Sequence, residues 1–311
     1  MSFKKIGIMS IGEMGYHWAQ LIRRGGGEVL TYDKDRSDVT RERAHNAGVK
    51  SVKSLAQLCQ ECDLIVSIVV PSSAPRVAAN IASAAKKSGR TDLVYLDANA
   101  ISPMTAEKIS AVVSAARVHF ADGCIIGSAA KMDKGAVVYV SGAQANRLEA
   151  LRSYGFAVEV LGSAVAQASA FKVVYAGLTK GLQGLFVELL IGARSFGLLD
   201  EIMKRYEESF PGLLDKVSGS IVGLRLHARR RAEEMDELKR TFAHHGKKSL
   251  MAPAAQRVLQ SIAALNTGKA SATGERNGEL LETIESFFEK GLLNSGSDES
   301  LKSSGVSDSA V

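Results

Sequence analysis

The sequence predicts an α/β protein: an N-terminal doubly wound parallel sheet followed by an all-α half. Three observations carry this. Residues 1–162 alternate strand-like and helical segments. Asp63–Val70 is a near-continuous apolar run rich in β-branched residues and stopped by Pro71, as in a strand buried on both faces. After Gly162 the apolar spacing turns helical and stays so to about Leu293.

Taken in order, Lys5–Met9 is strand-like. Met14–Arg24 reads as a helix with Trp18, Leu21 and Ile22 on one face, ended by Gly25-Gly26-Gly27. Val29–Tyr32, Leu93–Asp97, Arg117–Asp122, Val137–Ser141 and Ala157–Leu161 are further strands, with helices at Ala74–Lys87 and Met104–Ala115. The second half, residues 163–293, breaks near Pro211-Gly212, His245-Gly246 and Thr273-Gly274. Residues 294–311 are rich in Ser and Gly and read as a disordered tail.

Composition narrows the function classes. The 311 residues carry a net charge of +6 without the clustering of a nucleic-acid binder. The first 162 residues hold 20 Lys and Arg against 15 Asp and Glu, a mild preference for an anionic partner. The apolar runs are too short to cross a membrane, and no signal peptide is visible, so a cytoplasmic protein is expected. Three cysteines make no disulfide framework. Cys59 and Cys62 have no second pair or nearby His to complete a metal site, and none is expected.

The segment Ile6-Gly7-Ile8-Met9-Ser10-Ile11-Gly12-Glu13-Met14-Gly15 joins the first strand to the first helix. A dinucleotide turn has Gly-x-Gly-x-x-Gly there, the second glycine admitting the pyrophosphate and the third letting helix and strand pack closely. Gly12 and Gly15 fill those places, and Ser10 replaces the first glycine. The amides of Glu13 and Met14 open the helix, whose positive end faces the phosphates. Asp33, 21 residues after Gly12, is placed to accept from the adenosine ribose, which favours NAD. Lys34 and Arg36 follow it and suit the extra phosphate of NADP, so both cofactors stay open, with NAD slightly favoured.

Other segments join this Rossmann-type beginning. Val70-Pro71-Ser72-Ser73 closes the fourth strand, Asp97-Ala98-Asn99 the fifth, and Asp122-Gly123-Cys124-Ile125-Ile126-Gly127 the sixth; Lys172 stands within the long helix. This order resembles the β-hydroxyacid dehydrogenase family, which includes 6-phosphogluconate and 3-hydroxyisobutyrate dehydrogenases. The later part looks like a little-characterised branch of that superfamily. The resemblance implies that Gly12, Met14 and Gly15 hold the pyrophosphate and Asp33 the ribose. It places Val70, Pro71 and Asn99 by the nicotinamide. It makes Asp122, Gly123, Cys124, Ile126 and Gly127 a substrate-binding turn and Lys172 the catalytic lysine. Cys124 departs from a family proline, Ile126 from a serine and Ala176 from an asparagine. Two polar substrate contacts are thereby missing, and a larger or less polar substrate than a small 3-hydroxy acid is expected.

The helix itself points the same way. Lys172, Tyr175, Thr179 and Gln183 share one face of an otherwise apolar segment. Such a stripe meets either water or a polar cleft. In a cleft, Lys172 would lose solvation, its pKa would fall, and it would exchange a proton with a substrate hydroxyl, with Tyr175 sharing or orienting. Thr179 and Lys180 are substrate-side candidates, Lys180 for an anion. The cluster Arg225, His227, Arg229, Arg230 and Arg231 reads as a solvated face, with Arg229 paired to Glu233 and Arg230 to Glu234. The expectation is an NAD(P)-dependent oxidoreductase of a hydroxyl or carbonyl substrate and a homodimer through the helical half. Its rivals are an imine reductase and a non-catalytic nucleotide-binding protein.

Overall fold

The structure is a computed structural model and describes residues 3–34, 36–265 and 276–294. The chain forms two compact units, Met1–Val173 and Val174–Val311. The first contains β1 (Lys5–Met9), α1 (Glu13–Arg24), β2 (Glu28–Thr31), α2 (Asp38–Asn46), β3 (Lys50–Ser51), α3 (Leu55–Glu61) and β4 (Leu64–Ser67). It continues through α4 (Ala74–Ser88), β5 (Val94–Asp97), α5 (Pro103–Ser114), β6 (His119–Ile126), β7 (Val137–Ser141) and β8 (Ala157–Gly162).

The strands form one sheet in the order β3-β2-β1-β4-β5-β6-β7-β8. All neighbours are parallel except β6 and β7. The order reverses between β1 and β4, the switch point outside which open α/β sheets bind their ligands. Strand alternation sends Ile6, Ile8, Leu64, Val66 and Leu96 to one face, with Trp18 and Ile22 of α1. Met9, Ile65, Tyr95 and Phe120 go to the other, with Leu58, Ile81 and Ile109. Ser37, Ser54 and Ser102 cap α2, α3 and α5 through their hydroxyls.

One expected strand ends later than its sequence implies. Asp122-Gly123 reads as a turn, yet β6 runs on to Ile126, paired in antiparallel register with β7 from Asp122↔Ser141 to Ile126↔Val137. The expected substrate turn is therefore mostly strand. Two contacts make Asp-Gly acceptable inside a sheet. A Cβ on residue 123 would lie 2.7 Å from Leu96 Cδ1, so glycine is the residue that fits. The Asp122 side chain is buried but hydrogen-bonded, as described next.

α6 (Gln167–Ser195) begins in the first unit and runs into the second. The second unit adds α7 (Leu199–Ser209), α8 (Leu213–Val222), α9 (Leu224–His244), α10 (Met251–Ala264) and α11 (Arg276–Glu289). There α9 packs along α10, and α8 against α11. The expected break at Thr273-Gly274 and the tail from residue 295 lie outside the described residues. Against expectation, α6 is long and apolar enough to cross a membrane by length and composition alone. It nonetheless buries Gln183, Phe186, Val187, Leu190 and Ile191, as a packed core helix does.

The start of α6 is held by the middle of β6 and the end of β7. The Ala168 amide donates to Ser141 Oγ at 3.0 Å, and the Ser169 amide to Asp122 Oδ2 at 2.8 Å. Ser169 Oγ donates to Asp122 Oδ1 at 2.7 Å, and Ser141 Oγ to Oδ2 at 3.4 Å. A carboxylate at a helix N-terminus also meets the positive end of the helix dipole. Replacing it strands several buried donors. Asp122→Ala is expected to cost about 3 kcal/mol, and Asp122→Asn, which keeps an acceptor, less; urea unfolding followed by circular dichroism measures both.

Candidate active site

The glycine turn sits at the carboxyl end of β1. Gly12 precedes α1 without any side-chain cap, and the amides of Glu13, Met14 and Gly15 lie in the first turn, ahead of the first i→i−4 bond, from Tyr16 to Gly12. A Cβ on residue 12 would meet nothing within 4 Å, so open space lies over the turn. A Cβ on residue 15 would lie 2.3 Å from the Ser10 carbonyl oxygen. The turn thus has free amides, an open approach and a close helix–strand junction, which fits the pyrophosphate of a dinucleotide. Asp33 follows β2, half-buried, and accepts from Ser51 Oγ at 2.5 Å; the Arg36 amide donates to its carbonyl. Its carboxylate is thereby tied to Ser51 of β3.

At the end of β4, Val70 is exposed and Pro71 opens a short 3-10 turn. Asn99 was expected beside the nicotinamide, but its side chain is buried and committed inward. Oδ1 accepts from the Val69 amide at 2.6 Å, and Nδ2 donates to Ser67 Oγ at 3.0 Å and Asp97 Oδ1 at 2.7 Å. It ties the loop after β4 to the end of β5. Asp97 lies fully buried, in register with Asp122 on β6. Its Oδ2 has no partner among the described residues. Burial first, then the neighbouring Asp122, raises its pKa to about 7, against the bonds from Asn99. Burial likewise raises Asp122, against the donors Ser169 and Ser141.

On β6, Cys124 is fully buried, and burial pushes its thiol up to about 12. It packs within the core of the sheet. Ile126 is half-buried and ends the strand; Gly127 has φ +133° against Ala136. Lys172, one turn into α6, donates from Nζ to the Ile125 carbonyl at 3.2 Å and is half-buried. It therefore stands at the carboxyl end of β6, at the same edge of the sheet as the glycine turn. β1, β4, β5 and β6 are successive strands, so β4 and β5 lie between the two.

The rest of the expected stripe does not stay together. Tyr175 is about half exposed. Thr179 returns its hydroxyl to the Ala176 carbonyl at 2.9 Å. Gln183 is buried and accepts from Arg231 at 2.8 Å. Lys180, expected as an anion ligand, is paired with Glu234 at 2.7 Å, which neutralises it. Glu234 also takes the expected Arg230. No Arg229–Glu233 pair forms among the described residues; both line a groove between α9 and α10. Arg231 reaches Gln183 and the Ser220 carbonyl, and burial lowers its pKa. No local pattern marks Ser51, Ser67, Ser141 or Ser169, whose partners are distant in the chain.

Fold and turn together define a dinucleotide-binding protein of the dehydrogenase type. Residues 5–166 match the model of the NAD binding domain of 6-phosphogluconate dehydrogenase, and the chain belongs to that family. Residues 193–262 match a second model, a domain of unknown function. The chain is 32% identical over 260 residues to an uncharacterized 28.5 kDa protein of Methanothermus fervidus, covering 83% of this chain and 98% of that one. Among solved structures, the conserved protein MTH1747, described as similar to 3-hydroxyacid dehydrogenases, has 28% identity and a TM-score of 0.71 over 85% of this chain and all of its own. Mycobacterium tuberculosis 3-hydroxyisobutyrate dehydrogenase shares the fold at 15% identity, TM-score 0.71, over 91% and 99%. An imine reductase from Myxococcus stipitatus shares it at 15% identity, TM-score 0.57, over 91% and 100%.

The buried acid pair makes a pH prediction. Asp97 has a folded pKa of about 7 against an ordinary 3.8, so the folded chain keeps a proton that the unfolded chain gives up. The stability tied to this proton is full below pH 3.8 and lost as pH rises to about 7, up to roughly 4 kcal/mol. Asp97→Asn keeps the acceptor for Asn99 and removes the titration. It is expected to melt above the parent at pH 8, the advantage shrinking towards pH 4, in thermal scans across that range.

Proposed function

We propose that the protein is an NAD(P)-dependent oxidoreductase that interconverts a hydroxyl and a carbonyl, with Lys172 as general acid and base. The observation that carries this reading is the placement of Lys172 at the carboxyl end of β6, on the sheet edge that also bears the glycine turn. Family membership supports the cofactor. The nicotinamide, when bound, supplies the acceptor or donor of a hydride. In oxidation, as hydride leaves the carbinol carbon, the neutral Lys172 amine takes the hydroxyl proton; in reduction the ammonium returns it. The Ile125 carbonyl fixes the amine and accepts from it in either protonation state. Tyr175, one turn further, would orient the substrate or share the proton, and Thr179 would line the substrate side.

Asp33 supports a preference for NAD, since an oriented carboxylate binds ribose hydroxyls and repels a 2′-phosphate. The alternative, an imine reductase, has the support of a shared fold. The Lys172 ammonium argues against it, because it would repel an iminium cation. A non-catalytic nucleotide binder would have no use for the lysine. A homodimer is supported by Val174, Leu178, Leu185 and Leu189, which lie exposed on one face of α6; light scattering that reports a 33.1 kDa monomer would remove it.

Turnover on panels of hydroxy acids, ketones and cyclic imines, with NAD(H) and NADP(H), tests the reading. Hydroxyl or carbonyl substrates are expected to turn over, with NAD(H) bound more tightly than NADP(H). Lys172→Ala is expected to lower kcat at least about a hundredfold with cofactor Kd near normal. Unchanged kcat in that variant, or turnover of imines alone, overturns it.

A further inference from the structure

We propose that the substrate carries an uncharged, apolar group beside its reacting carbon, and that Ile126 of β6 selects for it. This rests on the reading of Lys172 as general acid and base, and it names the chemistry of the surface next to that amine.

β5 pairs with β6 only as far as Asp97↔Asp122, whereas β7 accompanies β6 to Ile126↔Val137. Beyond Asp122, β6 therefore has a neighbouring strand on one side only. The Ile125 carbonyl, to which the Lys172 amine donates at 3.2 Å, belongs to this stretch. A substrate hydroxyl in reach of that amine lies by the last residues of β6.

Strand alternation decides which side chains it meets there. Ile125, Val138 and Val158 turn to the face packed on α1 and are buried with Trp18. Cys124, Ile126, Val137, Tyr139 and Glu159 therefore point to the other face. The start of α6 lies on that face, where Phe171 packs on the Tyr139 ring with centroids 4.3 Å apart. Cys124 is fully buried. Ile126 and Val137, directly opposite each other, are half-buried and stay within reach of a ligand.

The charged residues that β6, β7 and β8 set on this face, Asp122 and Glu159, are both acidic, and neither offers a partner to a carboxylate. The Lys172 amine is taken up by the reacting oxygen. A carboxylate set on Ile126 would leave water for an aliphatic side chain and gain no donor from it. An alkyl or aryl group there instead removes its own surface and that of Ile126 and Val137 from water.

The test compares secondary alcohols from butanol to octanol with 3-hydroxy acids of the same chain lengths, under NAD+ and NADP+. For the alcohols, kcat/KM is expected to exceed that of the acids and to rise about fourfold with each added methylene. Ile126→Ser exchanges alkyl surface for a hydroxyl that donates to a carboxylate. It is expected to lower kcat/KM for octanol about tenfold, through KM, and to raise that for the acids, with cofactor Kd at the parent value. Ile126→Val is expected to fall between the two. Acids preferred by the parent, or a preference that Ile126→Ser leaves unmoved, overturns the proposal and leaves the reading of Lys172 intact. No turnover of either series, or a kcat unchanged in Lys172→Ala, overturns that reading and the proposal with it.

Discussion

A helix that begins inside a protein leaves its first amides without partners, and a buried unpaired amide costs on the order of 1–3 kcal/mol. α6 begins in that way, against two buried strands. The constraint is met from the sheet: Asp122 on β6 and Ser141 on β7 take the amides of Ser169 and Ala168. Because β6 and β7 are antiparallel partners in register at this pair, one cross-strand position supplies both acceptors. The phase of the first turn of α6 follows from these bonds. So does the position of Lys172, three residues beyond Ser169, which reaches back to the same strand at Ile125.

The cations that look most available for an anionic ligand are already engaged. Lys180 and Arg230 converge on Glu234, and Arg231 is turned to Gln183 and the Ser220 carbonyl. The free donors that remain in a fitting geometry are backbone amides at the start of α1. A phosphate is therefore better served by a helix end than by the basic residues that give the chain its net charge of +6. Lys172, by contrast, keeps its amine on the Ile125 carbonyl of β6.

Much of this was legible in the chain. The strand–glycine turn–helix beginning, the buried run of β4 and the change to helical spacing near Gly162 each rest on local patterns, and the sheet confirms the class they imply. What local patterns do not carry is non-local. Asp122-Gly123 looks like a turn because nothing nearby in sequence reveals that Ser169 satisfies the one or that Leu96 crowds the other. Asn99 looks like a ligand because its three partners span β4 and β5. Lys180 looks free because Glu234 is more than two helices away along the chain. Polar side chains are where periodicity says least, since their partners are set by tertiary structure.

The same sheet edge explains how two buried acids coexist beside one another. Asp97 and Asp122 are in register on neighbouring parallel strands, and two carboxylates at about 5 Å repel by roughly 3 kcal/mol even at an effective dielectric of 20. Their surroundings differ. Asp122 collects an amide and two hydroxyls, all donors that favour the charged form. Asp97 has one oxygen bonded by Asn99 and one with no partner among the described residues. Burial raises both, and Asp97, with fewer donors, is raised to about 7. The donors that favour the charged form gather on Asp122, at the N-terminus of α6.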